Sequence, residues 1–280
     1  YGHDLSHAGG ATPYGDACSY HSMSHNTILV DGLGQFQGRS DQAAQVIARL
    51  IAFEKSGDIT YWCGDATLAY PRKPGEVKHW WGGLDDIYKE RDARHLTRFN
   101  RHVLFVRNKY FVILDDLEAS KPTAFTWLYH IKPEGPFNLN AHSGSFTYQI
   151  DSIKVDVVHL LGAGQLDIHD MQGNEGLKNP LTGEDYTEDW KSREGDAPFD
   201  VAHNLFMTNK EPQKKWRFLS VILPTPPDDN SEYKIERLDN LTIKVTAFGQ
   251  TDIISFDPNT KHNATVTIDL PTIAKTGLHE

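Results

Sequence analysis

The sequence predicts an all-β sandwich, and three features of the chain support this prediction. The apolar runs are short and rich in β-branched and aromatic residues, which is typical of strands. Clusters of Gly, Asn, Asp and Pro separate these runs, as turns separate the strands of a sandwich. Almost no segment has the 3.6-residue period of an amphipathic helix. The 280 residues are ample for a sizeable core, and we expect one domain over residues 1–280.

Two pairs of apolar runs predict β-hairpins. The clearer pair is Arg101–Arg107 and Tyr110–Leu114, which flank a short polar turn. The other pair is Ala48–Phe53 and Ile59–Cys63. The segment Gln42–Leu50 could instead be a helix, but the turn signals that follow it favour a strand. Further strands are predicted at Asn26–Asp31, Ala124–Ile131, Ser145–Ile150, Ile153–Leu161, Trp216–Leu223, Tyr233–Leu238, Thr242–Phe248, Asp252–Phe256 and Ala264–Leu270.

Two long polar insertions interrupt the strands, near residues 69–94 and 165–202. Structureless loops of this length are usually functional or disordered. The first insertion carries Trp80 and Trp81, whose rings could stack on the faces of sugars. The alternative is that one of these rings fills the core beneath the loop.

Three arginines follow the tryptophans, and they are candidate ligands of a carboxylate or a sulfate. Arg91, Arg94 and Arg98 each offer a bidentate guanidinium fork, although a solvated face is the usual role of such residues. A local basic cleft is needed for any acidic ligand, because the formal net charge of the chain is −10. The same charge excludes the basic footprint of a nucleic-acid-binding protein.

Composition leaves the cellular compartment open. The sequence has no apolar run of membrane-spanning length and no basic, apolar-cored leader. Because it begins at Tyr1 rather than Met, we expect a processed chain or a part of something longer. Cys18 and Cys63 allow one disulfide, but both could equally be reduced.

The stretch HSMSHNTILVDGLGQ, residues 21–35, contains two histidines four residues apart. On a helix, His21 and His25 would share one face and could bind one metal ion. The residues after them favour a strand, in which four residues span roughly 13 Å. We therefore predict that at most one of them binds a given ion, unless the chain turns between them. The alternative is that both are polar residues near a strand end.

Several stretches in order resemble the heparinase II/III-like polysaccharide lyases. The resemblance covers about the first half of the chain, and no single stretch carries it alone. The matching stretches are Tyr14-Gly15, SHNTILVDGLGQ (Ser24–Gln35), YWCGDATLAY (Tyr61–Tyr70), RHVLFVRNKYFVILDDL (Arg101–Leu117) and FTWLYH (Phe125–His130).

The resemblance implies the C-terminal portion of such an enzyme, a large layered antiparallel β-sandwich (a super-sandwich) that normally follows an α/α toroid. No helical half precedes the sandwich in this sequence, so the toroid is an expected partner domain of the same protein. Family members cleave acidic polysaccharides by β-elimination in the cleft between the two domains. A base removes the proton at C5 of a uronic acid, another group neutralises its carboxylate, and the glycosidic oxygen leaves from C4.

The resemblance also implies site residues. Several of these sandwiches hold a structural zinc ion, and His25 matches its His-Asn ligand; imidazole nitrogen suits zinc, with Ca²⁺ as the alternative ion. The other family ligands would fall before Tyr1. Tyr1 lies near the place of a tyrosine that faces the sugar, with a frayed terminal residue as the alternative. His21 becomes a lesser cleft residue or a plain surface residue. His130 is expected at the cleft or in a structural role.

The sequence thus predicts part of a polysaccharide lyase acting on a uronic-acid polysaccharide or oligosaccharide, secreted or periplasmic in a bacterium. The expected substrate-binding residues are Tyr1, His21, Trp80, Trp81 and Arg94, and the expected metal ligand is His25. The catalytic residue stays unassigned, and turnover by this chain alone is not expected. The alternative is a non-catalytic carbohydrate-binding or structural sandwich. The choice among alginate, glycosaminoglycan and ulvan stays open.

Overall fold

The computed structural model confirms the all-β prediction. It describes residues 22–35, 47–70, 93, 95–173, 175, 178–183, 185, 187–188, 191, 203–257 and 265–269. A short 3₁₀ helix, Ser22–Ser24, precedes the first strand. The strands are β1 (Ile28–Val30), β2 (Ile47–Ser56), β3 (Ile59–Leu68), β4 (Leu96–Val106), β5 (Tyr110–Thr123), β6 (Phe125–Ile131), β7 (Asn138–Leu139), β8 (Phe146–Ile150), β9 (Ile153–His159), β10 (Leu166–Gln172), β11 (His203–Asn209), β12 (Gln213–Thr225), β13 (Lys234–Arg237), β14 (Thr242–Ala247), β15 (Gln250–Asp257) and β16 (Thr265–Asp269).

These strands form three antiparallel sheets. The central sheet has the order β2-β3-β4-β5-β12-β9-β8-β7. The front sheet has the order β1-β6-β11-β10, and the back sheet has the order β13-β14-β15-β16. One hydrophobic cluster joins the front sheet to the central sheet, and a second joins the back sheet to the central sheet. The described residues therefore form a layered β-sandwich with the central sheet covered on both faces.

Strand β5 shows how one segment serves both cores. Val112 and Leu114 belong to the back cluster, whereas Leu117 and Ala119 belong to the front cluster. Successive side chains of a strand point to opposite faces, so a strand between two layers must be apolar on both. This requirement explains the nearly continuous apolar run YFVIL, which predicted the strand.

Both predicted hairpins are confirmed, as β2–β3 and β4–β5. The prediction of a polar insertion across residues 165–202 is wrong at its start, because Leu166–Gln172 forms β10, paired with the unpredicted β11. In β10 the inward Leu166 is buried while Asp167 and His169 are exposed, and this half-polar pattern concealed an edge strand.

Some expectations fall on residues that the structure does not describe. These are residues 42–46 of the predicted strand Gln42–Leu50, residues 71–92 and 94 of the first insertion, residues 192–202, and Cys18. The single-domain assignment stays a prediction. Within the described ranges, no helix has the length and apolar character needed to cross a membrane.

The turn between β4 and β5 is fixed to the back sheet by a charged contact. Arg107 and Asn108 have φ angles of 54° and 53°, in the left-handed region that non-glycine residues seldom adopt. The Arg107 guanidinium donates to both oxygens of the buried Asp252 on β15, at 2.8 to 3.1 Å. The Tyr110 hydroxyl donates to the same carboxylate at 2.8 Å. These contacts hold the turn and tie the central sheet to the back sheet.

Two buried histidines lie in the two cores. His102 contacts Tyr61 Oη through Nδ1 at 3.0 Å and lies 3.8 Å from the sulfur of Cys63, a free, buried thiol. His159 contacts Ser220 Oγ at 3.0 Å and packs edge-on against Trp127. Burial lowers the pKa of His102 and that of His159 to about 4. Both imidazoles are therefore neutral in the folded protein at neutral pH.

We predict that the free energy of unfolding falls as the pH is lowered from about 6.5 to about 4. Between these values the unfolded chain, whose histidines have ordinary pKa values, binds protons that the folded chain does not. The unfolded state is therefore favoured on acidification, by up to about 3 kcal/mol for each histidine. Urea unfolding at several pH values in this range measures the slope of the free energy of unfolding against pH.

His102→Gln and His159→Gln should each flatten this pH profile, whatever they do to stability at pH 7. The exposed His169 provides the matched control, since His169→Gln should leave the slope unchanged. An unaltered slope in both buried-site variants would show that these imidazoles do not couple folding to pH.

Candidate functional site

The chain turns immediately before the His-Asn pair. Ser22–Ser24 forms a 3₁₀ turn, and the His25 amide donates to the Ser22 carbonyl at 3.1 Å. The predicted strand Asn26–Asp31 begins only at Ile28. The expectation that extended geometry separates His21 from His25 is therefore wrong in its premise, because the Ser-Met-Ser segment is a turn. His25 itself is half-buried, and His21 lies outside the described residues.

Asn26 connects the start of β1 to two other strands. Its side-chain Oδ1 accepts a hydrogen bond from the backbone N–H of His130 on β6, at 2.7 Å. Its backbone carbonyl accepts a hydrogen bond from Arg101 Nη1 on β4, also at 2.7 Å. Among the described residues, its amide nitrogen has no protein acceptor. Asn26 thus has a fixed orientation and an unused pair of N–H groups.

Arg101 supports Asn26 through a bidentate ion pair. Its Nε and Nη2 donate to the two oxygens of Asp115 on β5, at 2.6 and 3.0 Å. Asp115 is completely buried. Burial opposes the charge on Arg101, but the adjacent carboxylate outweighs it and raises the pKa of Arg101 above its usual value. The paired geometry is the strong form of a charge-assisted contact.

His130 is fully buried, and its ring orientation is set by Asn204 on β11. His130 Nδ1 lies 2.7 Å from Asn204 Oδ1, and Asn204 Nδ2 donates to the Met171 carbonyl at 2.9 Å. The second bond fixes the amide, so its oxygen faces the imidazole. In the neutral ring Nδ1 therefore carries the proton, and Nε2 carries the lone pair. We call Asn26, Arg101, Asp115, His130 and Asn204 the Asn26 cluster.

The turn that follows β1 is tightly constrained. Asp31 has a φ of 49°, and its carboxylate accepts a hydrogen bond from the Ala124 amide at 2.9 Å. Its other oxygen lies 3.0 Å from His95 Nε2. Gly32 has a φ of 78°, and a Cβ there would collide with the Thr182 side chain. These contacts fix the Val30-Asp31-Gly32 turn and explain its glycine.

Tyr70, which ends the matching stretch YWCGDATLAY, has a structural role. It is buried, and its hydroxyl donates to the Ile28 carbonyl at 2.5 Å. Burial raises the pKa of Tyr70, so its phenol stays protonated. The contact fixes β1 against β3 and so contributes to the position of His25.

The structure describes one of the six predicted site residues, His25. The predicted substrate-binding residues all lie outside the described residues, so nothing tests them; these are Tyr1, His21, Trp80, Trp81 and Arg94. Of the arginine patch, Arg98 is described. It lies on the opposite face of the central sheet from Asp115, where it binds Asp116 at 2.8 Å and Glu118 at 2.9 Å.

The described residues alone do not supply a zinc site. Within them there is no group of three or more His, Cys, Asp or Glu side chains that could hold a metal ion. Zinc takes three or four protein ligands, so His25 cannot bind it alone. The role of His25 as a ligand stays a prediction that depends on residues elsewhere in the protein.

Two members of the Asn26 cluster lacked a signal strong enough to identify them from sequence. Asn204 lies in β11, a strand that no turn signal marked. Asp115 is adjacent to Asp116 in a strand, so the two side chains point to opposite faces: Asp115 binds Arg101, while Asp116 binds Arg98 and Arg217. Two acids that interrupt a dense apolar run could have suggested buried arginine partners.

The fold and the Asn26 cluster define a layered antiparallel β-sandwich in which a His-Asn pair is fixed to a buried ion pair. The chain belongs to the heparinase II/III-like family: the profile of its C-terminal domain matches residues 10–235. This finding confirms the resemblance seen in the sequence motifs. A search of the curated proteins found no match.

Solved structures of similar fold include two lyases. Heparan sulfate lyase HepC from Pedobacter heparinus is 12% identical, with a TM-score of 0.52 over 82% of this chain. A crystal structure of heparinase III is 11% identical, with a TM-score of 0.51 over 90% of this chain. At this identity the likeness concerns the fold. The chain spans 30% of the length of each of these two solved proteins.

We predict that Arg101→Met destabilises the protein by about 3 kcal/mol, because it leaves the Asp115 carboxylate buried without its partner. The double variant Arg101→Met/Asp115→Leu should recover most of this loss, since it removes both charges. Urea unfolding at pH 7 measures both.

The exposed Arg49 is the control for this comparison, and Arg49→Met should stay within about 0.5 kcal/mol of wild type. If Arg101→Met behaves like Arg49→Met, the ion pair does not stabilise the front of the central sheet.

Proposed function

We propose that this chain is the β-sandwich portion of a polysaccharide lyase that cleaves uronic-acid polysaccharides by β-elimination. The observation that carries the proposal is the family match over residues 10–235, which includes the His-Asn pair and the residues that fix it. The similar folds of a heparan sulfate lyase and of heparinase III are consistent with it. We propose the same acidic class of substrate for the whole protein, without choosing among its members.

The reaction needs three groups. A base takes the C5 proton of the uronate, a donor neutralises the carboxylate so that this proton becomes acidic, and an acid protonates the leaving oxygen at C4. Neutralisation by hydrogen bonds is an electrostatic task, and it is most effective when the donors are already oriented. Among the three groups, the described residues can be compared with the need for oriented donors that neutralise the carboxylate.

Asn26 is the described residue best suited to neutralise the substrate carboxylate. Its Oδ1 is held by the His130 N–H, which directs the opposite amide N–H groups away from β6. The residue is half-buried, so a ligand can reach it. Arg101 then acts as a positioning residue, because its donors are used by Asp115 and by the Asn26 carbonyl.

We assign no base or acid among the described residues. Tyr61, Tyr70, Tyr110, Tyr129 and Tyr148 are all buried, and burial raises their pKa values, which disfavours the phenolate that a base requires. We therefore propose that a toroid domain of the same protein supplies the proton-transferring residue. We also propose a secreted or periplasmic location in a bacterium, where a polysaccharide substrate would be met.

The complete protein should generate an unsaturated uronate from at least one of alginate, heparin, chondroitin sulfate and ulvan. The product absorbs in the ultraviolet, so its appearance can be followed directly. Residues 1–280 alone should give no turnover. The absence of product from all four substrates would refute the lyase proposal and favour a carbohydrate-binding or structural sandwich.

Asn26→Asp separates the proposed role from a structural one. The aspartate keeps the acceptor for the His130 N–H but loses the amide donor and adds a negative charge beside the substrate carboxylate. We expect the rate to fall by roughly 10²–10³-fold, with the urea midpoint nearly unchanged. The exposed Asn240 is the matched control, since Asn240→Asp should retain full activity. Full activity of Asn26→Asp would remove Asn26 from the reaction.

We further propose that His25 is one ligand of a zinc ion whose other ligands lie outside the described residues. The purified complete protein should contain about one zinc ion per chain, and His25→Ala should lose most of it, because catalytic and structural sites need at least three protein ligands. Elemental analysis measures the metal and distinguishes zinc from calcium. His169→Ala, at an exposed histidine, is the control. Equal metal content in His25→Ala and wild type would exclude His25 as a ligand.

A further inference from the structure

A groove lies at the edge of the central sheet, on the side of the back sheet. It encloses about 440 Å³ and is lined by residues of β7, β8 and β9 and by Tyr233, which immediately precedes β13. This volume falls within the range of about 300–1,000 Å³ that is usual for small-molecule sites. The groove is therefore large enough for a sugar unit with part of its neighbour.

The floor of the groove is a row of polar side chains in register. Asn138 of β7 is paired with Thr147 of β8, and Thr147 is paired with Asp156 of β9. Thr147 Oγ1 donates to Asp156 Oδ1 at 2.6 Å, and Lys154 Nζ lies 3.0 Å from Asp156 Oδ2. Asp156 is buried, whereas Asn138 is exposed. Charges within the row therefore cancel, and hydrogen-bonding groups remain at its open end.

A second amide lies beside this row. Asn140 Oδ1 accepts hydrogen bonds from the backbone amides of His142 and Ser143, at 3.0 and 3.1 Å. These two bonds fix the side chain and leave its N–H groups without an acceptor in the described part of the chain. Asn138 and Asn140 thus present amides on the same lip of the groove.

Tyr233 forms the aromatic wall. It is half-buried, and Lys154 Nζ lies 5.8 Å from the centre of its ring. Burial, together with the nearby charge of Asp156, raises the pKa of Tyr233 to about 12. The phenol therefore remains protonated.

The groove and the Asn26 cluster lie on opposite faces of the central sheet. In β9, Val155 and Val157 pack in the front cluster, so Asp156 between them points to the back. In β4 and β5, Arg101 and Asp115 lie on the front face, in the same alternation as Phe99 and Leu117. A ligand in the groove would therefore not contact the Asn26 cluster.

We propose that this groove is a second saccharide-binding site, which holds a segment of the polysaccharide chain away from the reaction site. An aromatic ring beside amide and hydroxyl groups suits a sugar, whose C–H face is apolar and whose edge carries hydroxyls. Because Lys154 and Asp156 neutralise each other, the groove recognises the hydroxyls and the apolar face of the sugar rather than its charge. The groove accordingly binds with little dependence on salt. The choice of probe rests on the proposed function, but binding in the groove does not require catalysis.

The test is isothermal titration calorimetry of the full chain with hexasaccharides of alginate, chondroitin and heparan sulfate, and with cellohexaose as a neutral probe. At least one hexasaccharide should bind, with a dissociation constant that changes less than about threefold between 50 and 300 mM NaCl. Tyr233→Ala should weaken this binding at least tenfold, and Asn138→Ala should weaken it several-fold. Tyr233→Phe should bind nearly as well as wild type, because it retains the ring.

Leu238→Ala is the matched control, since it removes an exposed apolar side chain of the back sheet outside the groove. Hydrogen exchange should show protection of residues 138–158 when the sugar binds. No binding of any probe, equal affinity of Tyr233→Ala and wild type, or protection confined to residues 22–35 would overturn the proposal. The two proposals can fail separately. If the complete protein cleaves no substrate but Asn26→Asp still binds a hexasaccharide in the groove, the lyase proposal fails and the proposed saccharide-binding site is supported.

Discussion

The guanidinium of Arg101 is the contact on which the front of the molecule depends. One side of its fork holds Asp115 in the central sheet, and Nη1 holds the carbonyl of Asn26 at the entry to β1. Asn26 in turn binds the backbone of β6 through its side chain. A chain of three strong contacts therefore connects β5, β4, β1 and β6. The position of His25, one residue before Asn26, follows from this connection.

The same solution recurs at two other buried acids of the sandwich, Asp116 and Asp252. Asp115 on the front face has Arg101, and Asp116 on the back face has Arg98 and Arg217. Asp252 of the back sheet has Arg107. A carboxylate covered by another layer must be paired or it would be protonated at considerable cost. At these three carboxylates the layered architecture therefore requires a paired cation, and an arginine supplies it in each case.

The sequence could predict the strands because each central strand must be apolar on both faces, and this requirement gives short, dense apolar runs such as YFVIL. It could not predict β10, because an edge strand with one solvated face resembles a polar loop. The 3₁₀ turn before His25 was missed for a related reason, since Ser-Met-Ser has no Gly or Pro to mark it. The Val30-Asp31-Gly32 turn was predictable, because its glycine is required by the left-handed backbone and by the approach of Thr182.

The candidate site was less predictable than the fold, because its contacts join residues far apart in the chain. Asn26 and Arg101 lie 75 positions apart, and His130 and Asn204 lie 74 positions apart. Motif order placed Asn26, Arg101 and His130 in one family pattern, but it could not show that most of their polar groups bind one another. Once these internal bonds are assigned, the amide donors of Asn26 have no acceptor among the described residues, and for this reason we propose that they meet the substrate. Under the proposed function, this arrangement would orient and neutralise a uronate, and the group that transfers the proton would come from another part of the protein.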